Sequence, residues 1–479
     1  MCKPALALIL KICYNKVNAN DMEFQILEHL PFILTGTLLG YMAGLIPGVG
    51  NTIMLLISYP LILNASLLNM LLFYVALIST SQFSGSIVAT VFGVPGESSS
   101  MPAVAEGKKL FMRGVGNFAI SNAAMGSVLG SIMTVGAVYL ILPWAVELIK
   151  TYSSTGVRLS VLLIATLSVI FLLGKNIVMN FFVFGIGILL ALIGFHELPW
   201  FTFLPQLIPY DTVPKLLGGL PLFPVIVSMY AVPLLLNSRE QFKDFTLSKN
   251  YVDNNPVMDH IKQFCTNIRS AWRGGIFGCL IGFIPHMGTI LGSTMSYVWE
   301  QRLGRRKNTY RDDGDIKSLV AAETANNSSI FTGLLPLLLL GIPTASSEAL
   351  ILGFAEANRH LINFTTTIET DLFHMLVIGF VITNVLALLL SWPAVRYVNL
   401  LTKVKMDHIF YLTLAVLAVL VYYTGSIAMD ELYYLAVMIA LLPLGYMLRK
   451  SEPLVLLVAF LLTEKIMESG HAYYQIHFG

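Results

Sequence analysis

The fold is decided by two paired stretches: GYMAGLIPGVGN (Gly40 to Asn51) with SGSIVATVFGVPGESSS (Ser84 to Ser100), and, half a chain later, GCLIGFIPHMGT (Gly278 to Thr289) with TGLLPLLLLGIPTASSE (Thr332 to Glu348). Each pair holds two helix-breaking sites, a Gly-aliphatic-Ile-Pro turn and a Gly-aliphatic-Pro turn that leads into serines. Proline and glycine interrupt a helix and free backbone N–H and C=O groups. Hydrocarbon tolerates free groups only where they line a cavity enclosed by protein. Matched broken segments in the two halves of a membrane protein point to a transporter's binding site.

Composition places these turns in a bilayer. Of 479 residues, 56% are hydrophobic and only 12% charged, against roughly 25% charged in soluble domains. The mean hydropathy is +0.75. Apolar runs such as Phe118–Trp144, Ile177–Phe195, Leu216–Leu236, Phe373–Trp392 and Leu432–Leu448 approach the roughly 20 residues that span a membrane. The pattern predicts an all-α polytopic integral membrane protein with about 11–14 membrane segments, counting broken or re-entrant ones. Unbroken apolar runs exclude a β-barrel, which alternates in short segments. The net charge of +2 and the lack of a basic stripe give no sign of nucleic acid as a partner. Cys2, Cys13, Cys265 and Cys279 show no CxxC spacing, so neither a metal nor a disulfide is indicated.

Charge placement divides the chain. Residues 1–21 read as an N-terminal extension, 22–236 as a first membrane repeat, 237–273 as a cytoplasmic linker and 274–479 as a second repeat. The basic segments Gly107–Gly114, Asn237–Arg273, Gln301–Lys317 and Arg396–Lys405 face the cytoplasm under the positive-inside rule. The poorly basic Leu61–Asn69 and Gly353–Asp371 then face outward. Equivalent loops of the two halves fall on opposite sides, which predicts two inverted-topology repeats.

At these residues the chain resembles the TctA family, the large membrane subunit of tripartite tricarboxylate transporters. The resemblance lies in GLIPGVGNT, SGSIVATVFGVPGESSS and EGKKLFMRGVG, then in AAETANNSS (Ala321–Ser329) and LLLLGIPTASSEALILG. It implies import of citrate-like organic carboxylates coupled to a cation gradient, Na+ or H+. It also implies a small four-helix membrane subunit and a periplasmic solute-binding protein as partners, in the lipid bilayer of a bacterial inner membrane. The chain departs from the family pattern at His286 and Thr344, which follow Pro285 and Pro343 where glycine is usual, and at Trp200, where an arginine is absent.

A carboxylate stripped of water requires donors, and half-helix N-termini supply N–H groups with a positive dipole end. The candidate substrate-binding residues are therefore Gly48, Gly50, Asn51 and Thr52; Gly96, Ser98 and Ser99; Gly288 and Thr289; and Thr344, Ser346 and Ser347. The alternative at each turn is a packing glycine or a helix cap. Glu323, Asn326 and Asn327 share one helical face at i, i+3 and i+4. Their oxygens suit a hard coupling cation such as Na+, the one metal ion for which the chain offers a candidate site. A helix cap beside the cytoplasmic loop is the alternative there, with Glu97 and Glu348 likewise at turn mouths in solvent. No Walker A motif, dinucleotide fingerprint or nucleophile elbow appears, so neither a cofactor nor enzymatic activity is expected. A passive anion channel and a membrane-embedded transferase are the competing readings.

Overall fold

A computed structural model describes residues 19–46, 49–152, 154–172, 176–193, 215–216, 219–241, 256–284, 287–368, 372–401, 406–451 and 453–477. The longer helices of the first half are α1 (Ala19–Leu45), α2 (Gly50–Ile57), α3 (Leu67–Phe92), α4 (Gly116–Tyr152), α5 (Thr155–Leu172), α6 (Ile177–Leu192) and α7 (Val232–Gln241). Those of the second half are α8 (Val257–Ile281), α9 (Gly288–Arg306), α10 (Ile316–Leu340), α11 (Ser346–Ala357), α12 (Leu372–Leu401), α13 (Met406–Ile427), α14 (Glu431–Met447) and α15 (Pro453–His477). No strand occurs among the described residues. The described residues include four helices long and apolar enough to cross a membrane, lying within α3, α4, α12 and α13. Helices α1, α8, α10 and α15 are as long but carry more polar and charged residues, whereas α6 and α14 are apolar and shorter.

Helix boundaries follow the punctuation in the sequence. The Ser66 side chain accepts from the Asn69 N–H to start α3, and the Asp315 side chain accepts from the Ser318 N–H at 2.9 Å to start α10. Both helices end on a glycine in the left-handed region, Gly93 (φ 75°) and Gly341 (φ 67°). That conformation lets each terminal N–H fold back onto the last turn, and the proline two residues on prevents continuation.

The hydrophobic, small-residue helices α3 and α10 form the centre. Glycines let their neighbours approach to backbone contact. Gly36, Gly40 and Gly44 form one stripe on α1, and Gly274, Gly278 and Gly282 form the matching stripe on α8. A Cβ at Gly40 would lie 2.2 Å from the Leu77 carbonyl oxygen of α3, and one at Gly278 the same distance from that of Ala325 on α10. Only glycine fits such a crossing. The remaining helices pack reciprocally: α12 lies against α3 and α4 against α10, while α6 pairs with α15 and α14 with the π-turn Val227–Ala231 that precedes α7.

The segment expected to link the halves is partly helical. Helix α7 continues to Gln241 and α8 begins at Val257; residues 242–255 lie outside the described residues. Arg273 belongs to α8, where its guanidinium donates to both carboxylate oxygens of the buried Glu300 on α9, at 2.8 and 2.6 Å. A bidentate pair of this kind also fixes geometry.

Candidate functional site

All four turns lead into helical starts. In the first, Gly48 lies outside the described residues, and Gly50 opens α2 with φ 58°. The Asn51 N–H donates to Glu97 Oε1 at 2.9 Å, and the Thr52 hydroxyl donates to Asn51 Oδ1 at 3.1 Å. In the second, Gly96 faces backbone: a Cβ there would stand 2.5 Å from Gly85 Cα and 2.8 Å from the Gly44 oxygen. Ser98 opens the 3₁₀ turn Ser98–Ser100, but its side chain lies outside the described set. The Ser99 hydroxyl donates to Gln82 Oε1 of α3 at 2.9 Å, while its carbonyl accepts from Ser293 of α9 at 2.8 Å.

In the third turn Pro285 and His286 lie outside the described residues. Gly288 opens α9 against the backbone of Gly282, and Thr289 is half-buried. In the fourth, the Thr344 N–H and hydroxyl donate to Glu348 Oε2 at 2.5 and 2.8 Å. Ser346 is half-buried at the start of α11, and the Ser347 hydroxyl lies 3.0 Å from the Tyr74 hydroxyl of α3. The Asn51–Glu97 bond joins the first two turns to each other, while Ser99 to Ser293 and the packing of α2 on α11 join turns across the two halves.

The placing of Glu97 and Glu348 at solvent-facing mouths is corrected. Glu348 is only 4% exposed, and both side chains turn inward to backbone donors. The cause is the need of the first N–H groups of a helix for acceptors. In the first and fourth turns a side-chain carboxylate thus occupies a backbone donor.

The second feature is a polar seam between α3 and α10. Glu323, Asn326 and Asn327 are all fully buried. Ser86 of α3 donates to Glu323 Oε2, and Asn326 Nδ2 donates to Gln82 Oε1 at 3.0 Å. Glu323 Oε1, Asn326 Oδ1 and Asn327 Oδ1 have no hydrogen-bond partner among the described residues. A buried polar atom left unpaired costs about 1–3 kcal/mol, more when charged, so three on one helix set this face apart. Carboxylate and amide oxygens are the ligand types that hard cations take.

Gln82 and Ser86 were not singled out by sequence, nor was Glu106. Its Oε1 accepts from Tyr297, Gln301 and Tyr310 at 2.9, 3.0 and 3.0 Å, and its Oε2 from the Asp315 N–H at 2.9 Å. This carboxylate ties the π-turn Ala103–Gly107 to α9 and to the loop before α10. Burial pushes the neighbouring Asp315 carboxyl above its usual range.

Residues 30–458 match the family model described as the tripartite tricarboxylate transporter TctA family. The chain belongs to that family. A protein of Agrobacterium vitis, named as an uncharacterised 52.8 kDa protein in the TAR-I ttuC' 3' region, is 26% identical over 330 residues, 68% of this chain and 63% of the relative. A second, from the TAR-II ttuC' 3' region, is 38% identical over 76 residues, 16% of this chain and 31% of the relative. The chain therefore spans less than two thirds of either Agrobacterium relative. An uncharacterised protein of Methanocaldococcus jannaschii is 22% identical over 435 residues, 88% of this chain and 94% of its own length. No solved structure matches. Membership of the TctA family supports a part in transport and a membrane location. All four turns and the polar seam fall within the matched TctA region.

Proposed function

We propose that this protein is the membrane-spanning core of a binding-protein-dependent secondary transporter that imports tricarboxylate-like organic anions, driven by a gradient of Na+ or H+. A periplasmic solute-binding protein delivers the anion, a small four-helix subunit completes the membrane complex, and the assembly sits in a bacterial inner membrane. The two halves are inverted repeats around the α3–α10 centre. The observation that carries this reading is the seam: three buried oxygens without partners, on one face of a central helix, beside broken helices whose N–H groups already hold carboxylates. The cation sits on Glu323, Asn326 and Asn327. The substrate carboxylates meet the backbone donors around Gly48–Thr52, Gly96–Ser100, Met287–Thr289 and Thr344–Ser347, near the bilayer midplane.

Proteoliposomes holding the chain with its small subunit and binding protein test this. Labelled citrate should accumulate only with the binding protein present and only under an imposed Na+ or proton gradient. Downhill flux that ignores both gradients would establish the passive channel instead.

A further inference from the structure

We propose that Gln82 couples cation occupancy of the α10 face to the posture of the Ser98–Ser100 turn. The inference rests on the transport reading above and assigns the link between its two ligands. Gln82 lies on α3 at 6% exposure, where its side-chain oxygen receives two donors. One is the Ser99 hydroxyl at 2.9 Å, from the turn that meets the substrate; the other is Asn326 Nδ2 at 3.0 Å, from the cation face. An amide oxygen has two lone pairs, so this acceptor is filled.

Asn326 is held at one end only. Its nitrogen is engaged by Gln82, while its oxygen is buried and without a partner among the described residues. A cation on that oxygen draws electron density across the planar amide and makes Nδ2–H a stronger donor, since hydrogen bonds in a chain polarise one another. It also pins the amide in place. Gln82 is then held more firmly, and Ser99 with it. Ser99 is in turn tied through its carbonyl to Ser293 of α9, so the effect reaches both halves. The counterpart serine, Ser347, meets Tyr74 instead, and neither of these residues bonds to the three cation-face side chains. Cation information thus enters through one turn. By linkage the substrate must tighten the cation as much as the cation tightens the substrate.

Gln82 is a positioning residue, and its signature is coupling rather than binding. The full-length chain in lipid nanodiscs is titrated with citrate, succinate and malate, following the thermal midpoint in choline chloride, with NaCl added, and with the pH lowered. In the wild type, added Na+ or acid should lower the half-saturating carboxylate concentration by roughly 5-fold or more. Gln82→Met, of similar length but lacking the acceptor, should abolish that shift while the cation alone still raises the midpoint. Gln82→Glu, which keeps an acceptor oxygen, should restore part of it. Ser99→Ala cuts the same link from its other end and should lose the shift even if the Gln82 variants fold poorly. Wild-type shifts in Gln82→Met or in Ser99→Ala overturn the relay and leave the transport reading intact. Loss of the cation's own effect in Gln82→Met also overturns it, making Gln82 a ligand. A wild-type chain that no probe stabilises, or whose carboxylate affinity ignores both cations, overturns the transport reading and this inference together.

Discussion

Helix α1 rests on the carbonyls of Phe73, Leu77 and Ser81 of α3 through Gly36, Gly40 and Gly44; α8 rests on Ala321, Ala325 and Ser329 of α10 through Gly274, Gly278 and Gly282. The register is the same in both halves. Two residues beyond Ala321 stands Glu323, and two beyond Phe73 stands Val75; Asn326 and Asn327 correspond to Ile78 and Ser79. The same backbone crossing therefore carries a polar face in one half and a largely apolar one in the other. Backbone contact tolerates no side chain at the glycines, whereas the outer face of the same helix is free to diverge. Repetition supplies the scaffold, and its local failure supplies the site.

The largest expected effect tests that failure. Glu323→Ala should lower cation-dependent uptake on the order of 100-fold, the loss of one charged partner at about 3 kcal/mol. Val75→Ala, at the equivalent place on α3, should leave the cation dependence unchanged; initial uptake rates across a Na+ and pH series decide between them. Next come the stripes. Gly40→Val and Gly278→Val should each destabilise by about 1–3 kcal/mol or more through overpacking, seen as matched losses of thermal midpoint. A tolerant Gly278 beside an intolerant Gly40 would break the equivalence. A smaller effect separates Asn327 from its counterpart. Asn326→Ala and Asn327→Ala should each raise the half-saturating cation concentration roughly 10-fold, about 1.4 kcal/mol, with membrane insertion unchanged. Ser79→Ala, which removes a 3.1 Å bond to Asn384, should shift stability slightly and cation affinity not at all. Equal cation shifts in the Ser79 and Asn327 variants would contradict the asymmetry.

Much of this arrangement is legible in the sequence where chemistry is local. Glycine and proline announce the four turns because they act on their own backbone, and Glu323, Asn326 and Asn327 announce a shared face because they lie within one helical turn. The opposing wall is not legible. Gln82 and Ser86 sit in a run of small and apolar residues with no distinctive spacing, and their partners on α10 are 244 and 237 residues away. Glu97 and Glu348 were readable as residues near turns, but their direction was not. That depends on which N–H groups lack an acceptor once the helices are packed. Gly96 likewise reads as a turn residue in sequence, but that the backbone of Gly85 would meet any side chain there is not legible.

The glycine stripes also set the mechanics of any conformational cycle. Where two helices touch backbone to backbone, no layer of side chains remains to change rotamer and let them slide, so α1 with α3, and α8 with α10, behave as two stiff slabs. Shear has to occur between slabs, where the contacts are side chains with alternative partners. The seam of Ser86, Gln82, Glu323 and Asn326 is such a surface. The four hydrogen bonds on Glu106 lie across another boundary between the halves. Stiffness thus directs motion to the surfaces where the polar groups lie.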